Sequence, residues 1–122
     1  MAKVLIVDDL SDNIFLLEEL ISAFGLEYKS VNNGQEAVNA VIAEDFDIIL
    51  MDIEMPVMNG FEASEEIREL PEPKKNIPII AISAHSTDFF DERVNRCGMC
   101  DFISKPYSLP KIKEMLKKYG LL

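Results

Sequence analysis

The sequence predicts an α/β fold in three layers, a doubly wound parallel sheet of five strands with helices on both faces. Three observations predict this fold. Apolar runs of strand length recur along the chain, segments with helical spacing of apolar residues separate them, and no long linker or repeat interrupts the series. Parallel strands need such crossovers, and right-handed crossovers place helices on both faces of the sheet.

The first strand is predicted over KVLIV, residues 3–7, because a continuous apolar run is typical of a strand that is buried on both faces. A helix follows, which Ser11 or Asp12 is expected to cap and Gly25 to end. EYKSV, residues 27–31, alternates between polar and apolar side chains, which is typical of an edge strand.

The rest of the chain continues the same alternation of strands and helices. Helices are predicted at about 35–43, 61–70, 88–96 and 109–120, and strands at 47–51 (DIILM), 77–82 (IPIIAI) and 101–104 (DFIS). With the second strand at an edge, the predicted strand order is 2-1-3-4-5, the flavodoxin-like arrangement.

Length and charge limit the classes of function. A chain of 122 residues that is 48% hydrophobic is expected to form one domain, residues 1–122, around one core. The formal charge of −10 argues against binding to nucleic acid. No apolar run approaches the ~20 residues of a membrane span, and the first strand leaves no room for a signal peptide. The expected location is the cytoplasm.

The two cysteines, Cys97 and Cys100, lie in a C-x-x-C spacing. A redox pair of the thioredoxin kind would lie where a strand enters a helix, whereas this pair follows a predicted helix. A zinc site would want four soft ligands, and beyond these thiols the chain offers only His85. The prediction is therefore of reduced, partly buried, structural thiols.

Polar residues stand at the carboxyl ends of four predicted strands. In a sheet of this order, ligands bind beyond the carboxyl ends at the reversal between the first and third strands. The sequence therefore predicts one cleft containing three carboxylates, a hydroxyl and an ammonium, and the residues that supply these groups are Asp8, Asp9, Asp52, Ser83 and Lys105.

Three carboxylates in one cleft repel each other unless a cation joins them. Ligands that are all oxygen favour Mg²⁺, with Mn²⁺ as the alternative, and Mg²⁺ keeps open positions that phosphoryl oxygens fill. A carboxylate can also attack phosphorus and form an acyl phosphate. The pattern indicates phosphoryl transfer to an aspartate.

The sequence resembles the receiver domains of two-component response regulators. VDD, MDIEMPVMNG, the SA of ISAH, and KP occur in the family's order and spacing, over about residues 3–119. The resemblance implies that Asp52 accepts a phosphoryl group from a histidine of a sensor kinase or a phosphotransfer protein. It also implies that Asp9 and Asp52 ligate Mg²⁺ directly, that Asp8 acts through water, and that the backbone carbonyl of Glu54 is a further ligand.

The resemblance assigns further roles to residues around this site. Lys105 would contact the phosphoryl group, and its bond to Pro106 would be a cis peptide. Ser83 would turn its hydroxyl to the phosphoryl group while Phe102 swings inward. That movement would remodel the surface of the fourth helix, fifth strand and fifth predicted helix, where a downstream protein would dock.

Two flanking side chains, those of Glu54 and His85, would modulate the lifetime of the phosphoryl group by controlling access of water. For His85 a solvated loop residue is the favoured interpretation. The initial Met and the end at Leu122 suggest a free-standing domain of the chemotaxis-regulator type, although a fragment of a longer protein would look the same, and DIEMPVMNG resembles receivers of hybrid kinases or phosphorelays. The resemblance also implies a bacterial source and a monomer or weak dimer. It implies no separate substrate, so the domain is not expected to be an enzyme.

Three other functions compete with a phosphoacceptor. A Mg²⁺-dependent aspartyl phosphatase would use Asp52 as nucleophile, but such enzymes expect Asp at position 54, where this chain has Glu. A flavin carrier of the same topology would need a phosphate loop after the first strand, where DDLSD would repel phosphate. A protein-interaction module without phosphorylation is the third, and the full set of polar residues argues against it.

Overall fold

A computed structural model describes residues 2–53, 55, 58–83, 96, 98–105 and 108–122 of the chain. Five parallel strands form one sheet in the order β2-β1-β3-β4-β5, so the predicted topology is confirmed. The strands are β1 (Lys3–Val7), β2 (Glu27–Val31), β3 (Ile48–Asp52), β4 (Ile79–Ser83) and β5 (Asp101–Ser104).

Helices cover both faces of this sheet. They are α1 (Ser11–Ala23), α2 (Gly34–Ala43), α3 (Gly60–Arg68) and the C-terminal helix (Leu109–Lys118), with one 3-10 turn at Lys74–Asn76. The helix predicted at 88–96 lies outside the described residues except for its last residue, which is helical. In the part of the chain that the structure describes, no helix has the length and apolar character that crossing a membrane requires.

The core consists of two layers, one on each face of the sheet. Successive residues of β1 point to opposite faces, so that Leu5 packs with α2 and α3 while Ile6 packs with α1 and the C-terminal helix. All five residues of β3 are buried. The apolar run before Asp52 is therefore a fixed support for that carboxylate at the centre of the sheet.

The start of α1 differs from its prediction. Neither Ser11 nor Asp12 caps this helix: the cap position is Leu10, and no side chain bonds the helix end there. Instead the Leu10 backbone N–H donates to Asp8 Oδ1 at 2.9 Å. The carboxylate before the helix thus orders the turn that the predicted caps were expected to order.

Side-chain caps begin the next two helices. Asn33 Oδ1 accepts a hydrogen bond from the Glu36 N–H at 2.9 Å at the start of α2. Asn59 and Glu62 form a reciprocal capping box at the start of α3. Both caps lie at the edge of the sheet where the carboxyl ends of the strands meet, so these helix starts are well fixed there.

Arg68, at the end of α3, holds together the opposite end of the molecule. Its guanidinium donates to three backbone carbonyls, those of Gly98 (2.8 Å), Lys75 (2.6 Å) and Ile77 (2.7 Å). These carbonyls belong to the segments that lead into β4 and β5. One side chain therefore joins α3 to the starts of two neighbouring strands.

A polar cluster ties β5 to the C-terminal helix. Asp101 Oδ2 accepts hydrogen bonds from Lys118 Nζ and, at 3.2 Å, from the Tyr119 hydroxyl. Burial raises the pKa of Asp101, but hydrogen bonds from Lys118 and the Phe102 N–H outweigh it and hold the pKa below its ordinary value. Burial, together with the neighbouring Asp101 charge, raises the pKa of Tyr119 to about 12.

Candidate functional site

The structure brings the polar ends of β1, β3 and β4 together at one edge of the sheet. Asp8 follows β1 and is 1% exposed, while Asp52 ends β3 and is 2% exposed. Ser83 ends β4 and is fully buried. Asp9, the next residue along from Asp8, is exposed and so lies at the mouth of the site.

The three aspartates form one cluster. One carboxylate oxygen from each of Asp8, Asp9 and Asp52 lies within 4.8 Å of the other two. The backbone fixes two of these positions, since the Asp8 N–H donates to the Val31 carbonyl at 3.2 Å and the Ile53 N–H donates to the Ile82 carbonyl at 3.1 Å. Asp8, at the end of β1, is thus tied to β2, and Asp52, at the end of β3, is tied to β4 through the next residue.

Lys105 supplies the positive charge of the site. Its Nζ lies 3.2 Å from Asp52 Oδ2 and 3.9 Å from Asp8 Oδ2. The backbone places it there, because the Lys105 N–H donates to the Ser83 carbonyl at 2.7 Å just beyond the β4–β5 pairing. The predicted meeting of Lys105 with two aspartates is therefore present in the structure.

Ser83 and Phe102, the two residues of the predicted switch, lie on neighbouring strands. Phe102 pairs in register with Ala81 of β4, two residues before Ser83. The ring is half-buried and packs against the core layer that contains α2 and α3. Phe102 thus contacts the core while part of its surface stays accessible.

The site residues fit a divalent cation. Three carboxylates and one ammonium leave a formal charge of −2, which one Mg²⁺ neutralises. Mg²⁺ holds oxygen ligands at about 2.0–2.1 Å, so oxygens on opposite sides of the ion stand about 4.2 Å apart. Carboxylate oxygens within 4.8 Å of one another need only small movements to meet that geometry.

Several predicted site features lie outside the described residues. These are the Glu54 carbonyl, the His85 side chain, Cys97 and the cis peptide between Lys105 and Pro106. Cys100 is described, and the expectation of a partly buried thiol is wrong for it. It is a free, exposed cysteine because it precedes β5 at the surface, where its Sγ lies 3.6 Å from a guanidinium nitrogen of Arg68.

The sequence reasoning missed two glycines beside the site. Gly60 N–H donates to the Ile53 carbonyl at 3.0 Å, and Gly34 N–H donates to the Met58 carbonyl at 3.1 Å. The two bonds hold the segment that follows Asp52. An Asn-Gly pair such as Asn59-Gly60 is typical of a turn, and no local pattern reports that Gly34 approaches a loop more than twenty residues away.

Comparison with known proteins identifies relatives of the whole domain. The family model of the response regulator receiver domain matches residues 4–117. The chain is 42% identical over 126 residues to hybrid signal transduction histidine kinase L of Dictyostelium discoideum, covering 98% of this chain and 7% of that protein. It is 36% identical over 117 residues to the polar-differentiation response regulator DivK of Brucella anthropi, covering 96% of this chain and 94% of that protein.

These relatives differ in length and source. The chain spans 7% to 15% of the first six curated relatives, which are mostly histidine kinases, but nearly all of DivK. They come from bacteria and from eukaryotes, so the relatives do not fix the predicted bacterial source. The resemblance to single-domain receivers is confirmed.

Two similar solved structures contain a metal ion or a partner protein. The receiver domain of sensor histidine kinase PA1611 from Pseudomonas aeruginosa holds a magnesium ion in its active-site cleft (TM-score 0.89, 30% identity, 97% of this chain and 96% of that chain). The Saccharomyces cerevisiae Ssk1 receiver domain was crystallised with the phosphotransfer protein Ypd1 (TM-score 0.90, 27% identity, 98% and 88%). The fold, the carboxylate cluster and the match over residues 4–117 together establish that this chain belongs to the family of response regulator receiver domains.

Proposed function

We propose that Asp52 is the phosphoacceptor of this receiver domain. The observation that carries the proposal is the position of its carboxylate, buried at the end of the central strand, 3.2 Å from Lys105 Nζ and clustered with Asp8 and Asp9. A carboxylate oxygen of Asp52 attacks the phosphorus, the bond from phosphorus to the donor nitrogen breaks, and its electron pair stays on the imidazole of the donor. The product is an acyl phosphate on Asp52.

The surrounding residues stabilise this transfer. Mg²⁺, when bound, neutralises charge on the phosphoryl oxygens. Asp8, Asp9 and Asp52 would hold it, together with the Glu54 carbonyl. Lys105 shifts from its contact with Asp52 to a phosphoryl oxygen, a movement that a long, partly exposed side chain can make.

The phosphoryl donor in this proposal is a phosphohistidine on a sensor histidine kinase or on a histidine phosphotransfer protein. Support comes from the Ssk1 receiver, whose solved partner Ypd1 is such a phosphotransfer protein, and from the kinases among the relatives. The chain itself would assist only its own phosphorylation and dephosphorylation, so we expect no separate substrate. This distinguishes the proposal from an aspartyl phosphatase.

The test is to incubate the protein with Mg²⁺ and acetyl phosphate and to locate the added phosphoryl group by mass spectrometry. One group of about 80 Da is expected on Asp52, and none on the Asp52→Asn variant. Asp45→Asn is the matched control, because Asp45 is an exposed aspartate whose ion pair with Lys74 is remote from the site. A phosphoryl group that survives in Asp52→Asn, or none in the native protein, would refute the proposal.

We also propose that Ser83 and Phe102 transmit the phosphorylated state. Ser83 would turn its hydroxyl toward the phosphoryl group, and the half-buried Phe102 would move inward into the space so released. The register that pairs β4 with β5 supports this coupling. Ser83→Ala is expected to accept phosphate but to lose the change in Phe102, which NMR of a ring-labelled phenylalanine measures with and without phosphorylation.

The downstream partner would dock on the face that contains β5 and the C-terminal helix, together with the predicted helix at 88–96. A groove of about 490 Å³ lies between β5 and the C-terminal helix. Its apolar lining is Phe102, Ile103 and Met115, and its charged lining is Asp101, Lys111, Glu114 and Lys118. Phosphorylation-dependent binding should be weakened by Lys111→Glu but not by Lys29→Glu on the opposite edge of the sheet.

Two further proposals concern the protein to which the domain belongs and the lifetime of the acyl phosphate. We propose that residues 1–122 form one receiver domain of a cytoplasmic bacterial protein, a monomer or weak dimer, and light scattering tests its mass in solution. Glu54 and His85 would modulate the lifetime of the acyl phosphate. Unchanged dephosphorylation rates in Glu54→Ala and His85→Ala would contradict this modulation.

A further inference from the structure

The first residue of α2, Gly34, packs directly against the loop that follows Asp52. Its N–H donates to the Met58 carbonyl at 3.1 Å. A Cβ at position 34 would overlap the Met58 carbonyl oxygen and would lie 3.0 Å from the carbonyl carbon. Because both groups are backbone, no change of side-chain rotamer could relieve the overlap, and the loop or the helix would have to move.

The same loop is closed by Gly60, two residues after Met58. The Gly60 N–H donates to the Ile53 carbonyl at 3.0 Å, so the two ends of the loop are bonded to each other. A Cβ on Gly60 would lie 2.5 Å from the Asp52 carbonyl oxygen and 2.9 Å from the Ile53 Cα. The loop is thus held between two glycines, and only Gly34 comes from a different unit of the fold.

The turn that precedes α2 also contacts the other side of the carboxylate cluster. The Asp8 N–H donates to the carbonyl of Val31, the last residue of β2, at 3.2 Å. Three residues later, Gly34 holds Met58. One short segment, whose geometry the Asn33 cap fixes, therefore contacts the backbone of Asp8 and the backbone of the loop after Asp52.

We propose that Gly34 is a positioning residue for the magnesium site: by its close approach to Met58 it sets the distance between the Asp8 side of the site and the loop after Asp52. The inference rests on the magnesium-binding part of the proposed function. It assigns to α2, which contributes no ligand, a direct influence on metal affinity. Outer-shell groups that hydrogen-bond metal ligands typically change metal affinity 10- to 100-fold when they are altered. Gly34 acts one step further out, through Met58 and the Gly60–Ile53 hydrogen bond beside Asp52, so its expected effect lies at the low end of that range.

The test compares Gly34→Ala with Gln35→Ala. Gln35 is the next residue of the same helix, and its exposed side chain donates a hydrogen bond to Asn39 Oδ1 at 3.2 Å. Calorimetric titration with Mg²⁺ is expected to show an affinity about 10-fold weaker in Gly34→Ala and unchanged in Gln35→Ala. With acetyl phosphate, Gly34→Ala should need more Mg²⁺ for half-maximal phosphorylation, while its rate at saturating Mg²⁺ stays close to that of the native protein.

A weaker Mg²⁺ affinity with an unchanged rate at saturating Mg²⁺ indicates that Gly34 positions the site. General damage to the fold would lower the rate at saturating Mg²⁺ as well. An affinity of Gly34→Ala within about 2-fold of the native protein would overturn the inference, since 2-fold lies well below the expected effect. If Gly34→Ala does not fold, hydrogen exchange of the native protein decides. The Gly34 amide should exchange more slowly when Mg²⁺ binds, and an unchanged rate would overturn the inference.

The outcomes also separate this inference from the proposed function. A protein that binds Mg²⁺ with the expected difference between Gly34→Ala and Gln35→Ala, but that takes up no phosphoryl group, would refute phosphorylation at Asp52 and support the role of Gly34. If instead the protein is phosphorylated on Asp52 and Gly34→Ala and Gln35→Ala bind Mg²⁺ equally well, the proposed function is supported and the role of Gly34 is refuted.

Discussion

Lys105 Nζ lies 3.2 Å from Asp52 Oδ2, so the cation that is proposed to bind the phosphoryl group already contacts the proposed acceptor before any phosphoryl group arrives. This contact lowers the electrostatic cost of burying Asp52 beside Asp8. It also means that Lys105 competes with Mg²⁺ for the same oxygens. Removal of Lys105 should therefore strengthen Mg²⁺ binding but slow phosphoryl transfer to Asp52.

Lys105→Ala is expected to slow phosphorylation by acetyl phosphate about 10²- to 10³-fold, the range found when one group that stabilises transition-state charge is deleted. Mg²⁺ affinity should rise, because the site loses a positive charge. Stopped-flow kinetics and calorimetry measure the two effects. Lys111→Ala, which removes an exposed lysine of the C-terminal helix, is the control and should change neither quantity.

Mg²⁺ should stabilise the folded protein, because the assembled carboxylate cluster exists only in the native state. At a concentration 100 times the dissociation constant, the expected gain in the free energy of unfolding is about 2.7 kcal/mol. Urea unfolding with and without Mg²⁺ measures it. Asp9→Asn should lose most of the gain, whereas Asp45→Asn should keep it.

Arg68→Ala should destabilise the fold by about 3 kcal/mol, since it leaves three backbone carbonyls, at Gly98, Lys75 and Ile77, without their donor. Urea unfolding followed by circular dichroism gives the value. Glu69→Ala, at the exposed next position, should lie within about 0.5 kcal/mol of the native protein. A small effect of Arg68→Ala would show that water replaces the guanidinium at these carbonyls.

Alkaline pH should weaken the fold through Tyr119. Its pKa is raised to about 12, above the ordinary value near 10. The contribution of the neutral hydroxyl to stability is therefore complete below pH 10 and is lost as the pH rises through 12. Tyr119→Phe cannot ionise, so the stability difference between the native protein and this variant should shrink from pH 9 to 12. A constant difference would contradict the assignment.

Acidic pH should weaken the fold through Asp101, which accepts the hydrogen bond from Tyr119. The pKa of Asp101 is held below its ordinary value, so its contribution is present above about pH 4 and is lost as the pH falls through the lowered pKa. Asp101→Asn should therefore be less stable than the native protein at pH 7, and the difference should narrow below pH 4. Urea titrations at several pH values measure it.

The topology and most of the site followed from sequence because they depend on local patterns. The apolar run of β3 and the alternation of β2 determined the strand order, and that order placed Asp8, Asp52 and Lys105 together. The start of α1 did not follow. The cap rule favours Ser11 or Asp12, but the Asp8 carboxylate, placed by the sheet, bonds the Leu10 amide instead.

Contacts between segments far apart in the chain could not be predicted from the sequence, because they depend on how the helices pack. Gly34 and Met58 are 24 positions apart, and Arg68 reaches Gly98 across 30. Nothing in the neighbouring residues of Gly34 distinguishes a glycine that begins a helix from one that also contacts another loop. Such close approaches depend on how α2 and α3 pack together, which the three-dimensional structure alone reports.

The closed loop after Asp52 also indicates where the chain tolerates added length. Ile53 and Gly60 are bonded to each other and Gly34 holds Met58, so a residue inserted between Ile53 and Gly60 is expected to disturb these backbone hydrogen bonds beside Asp52. The exposed segment from Pro71 to Pro73 lies before β4, at the end of the sheet away from the carboxylates. A fluorescent label or surface anchor attached in that segment would leave the magnesium cleft open for measurement.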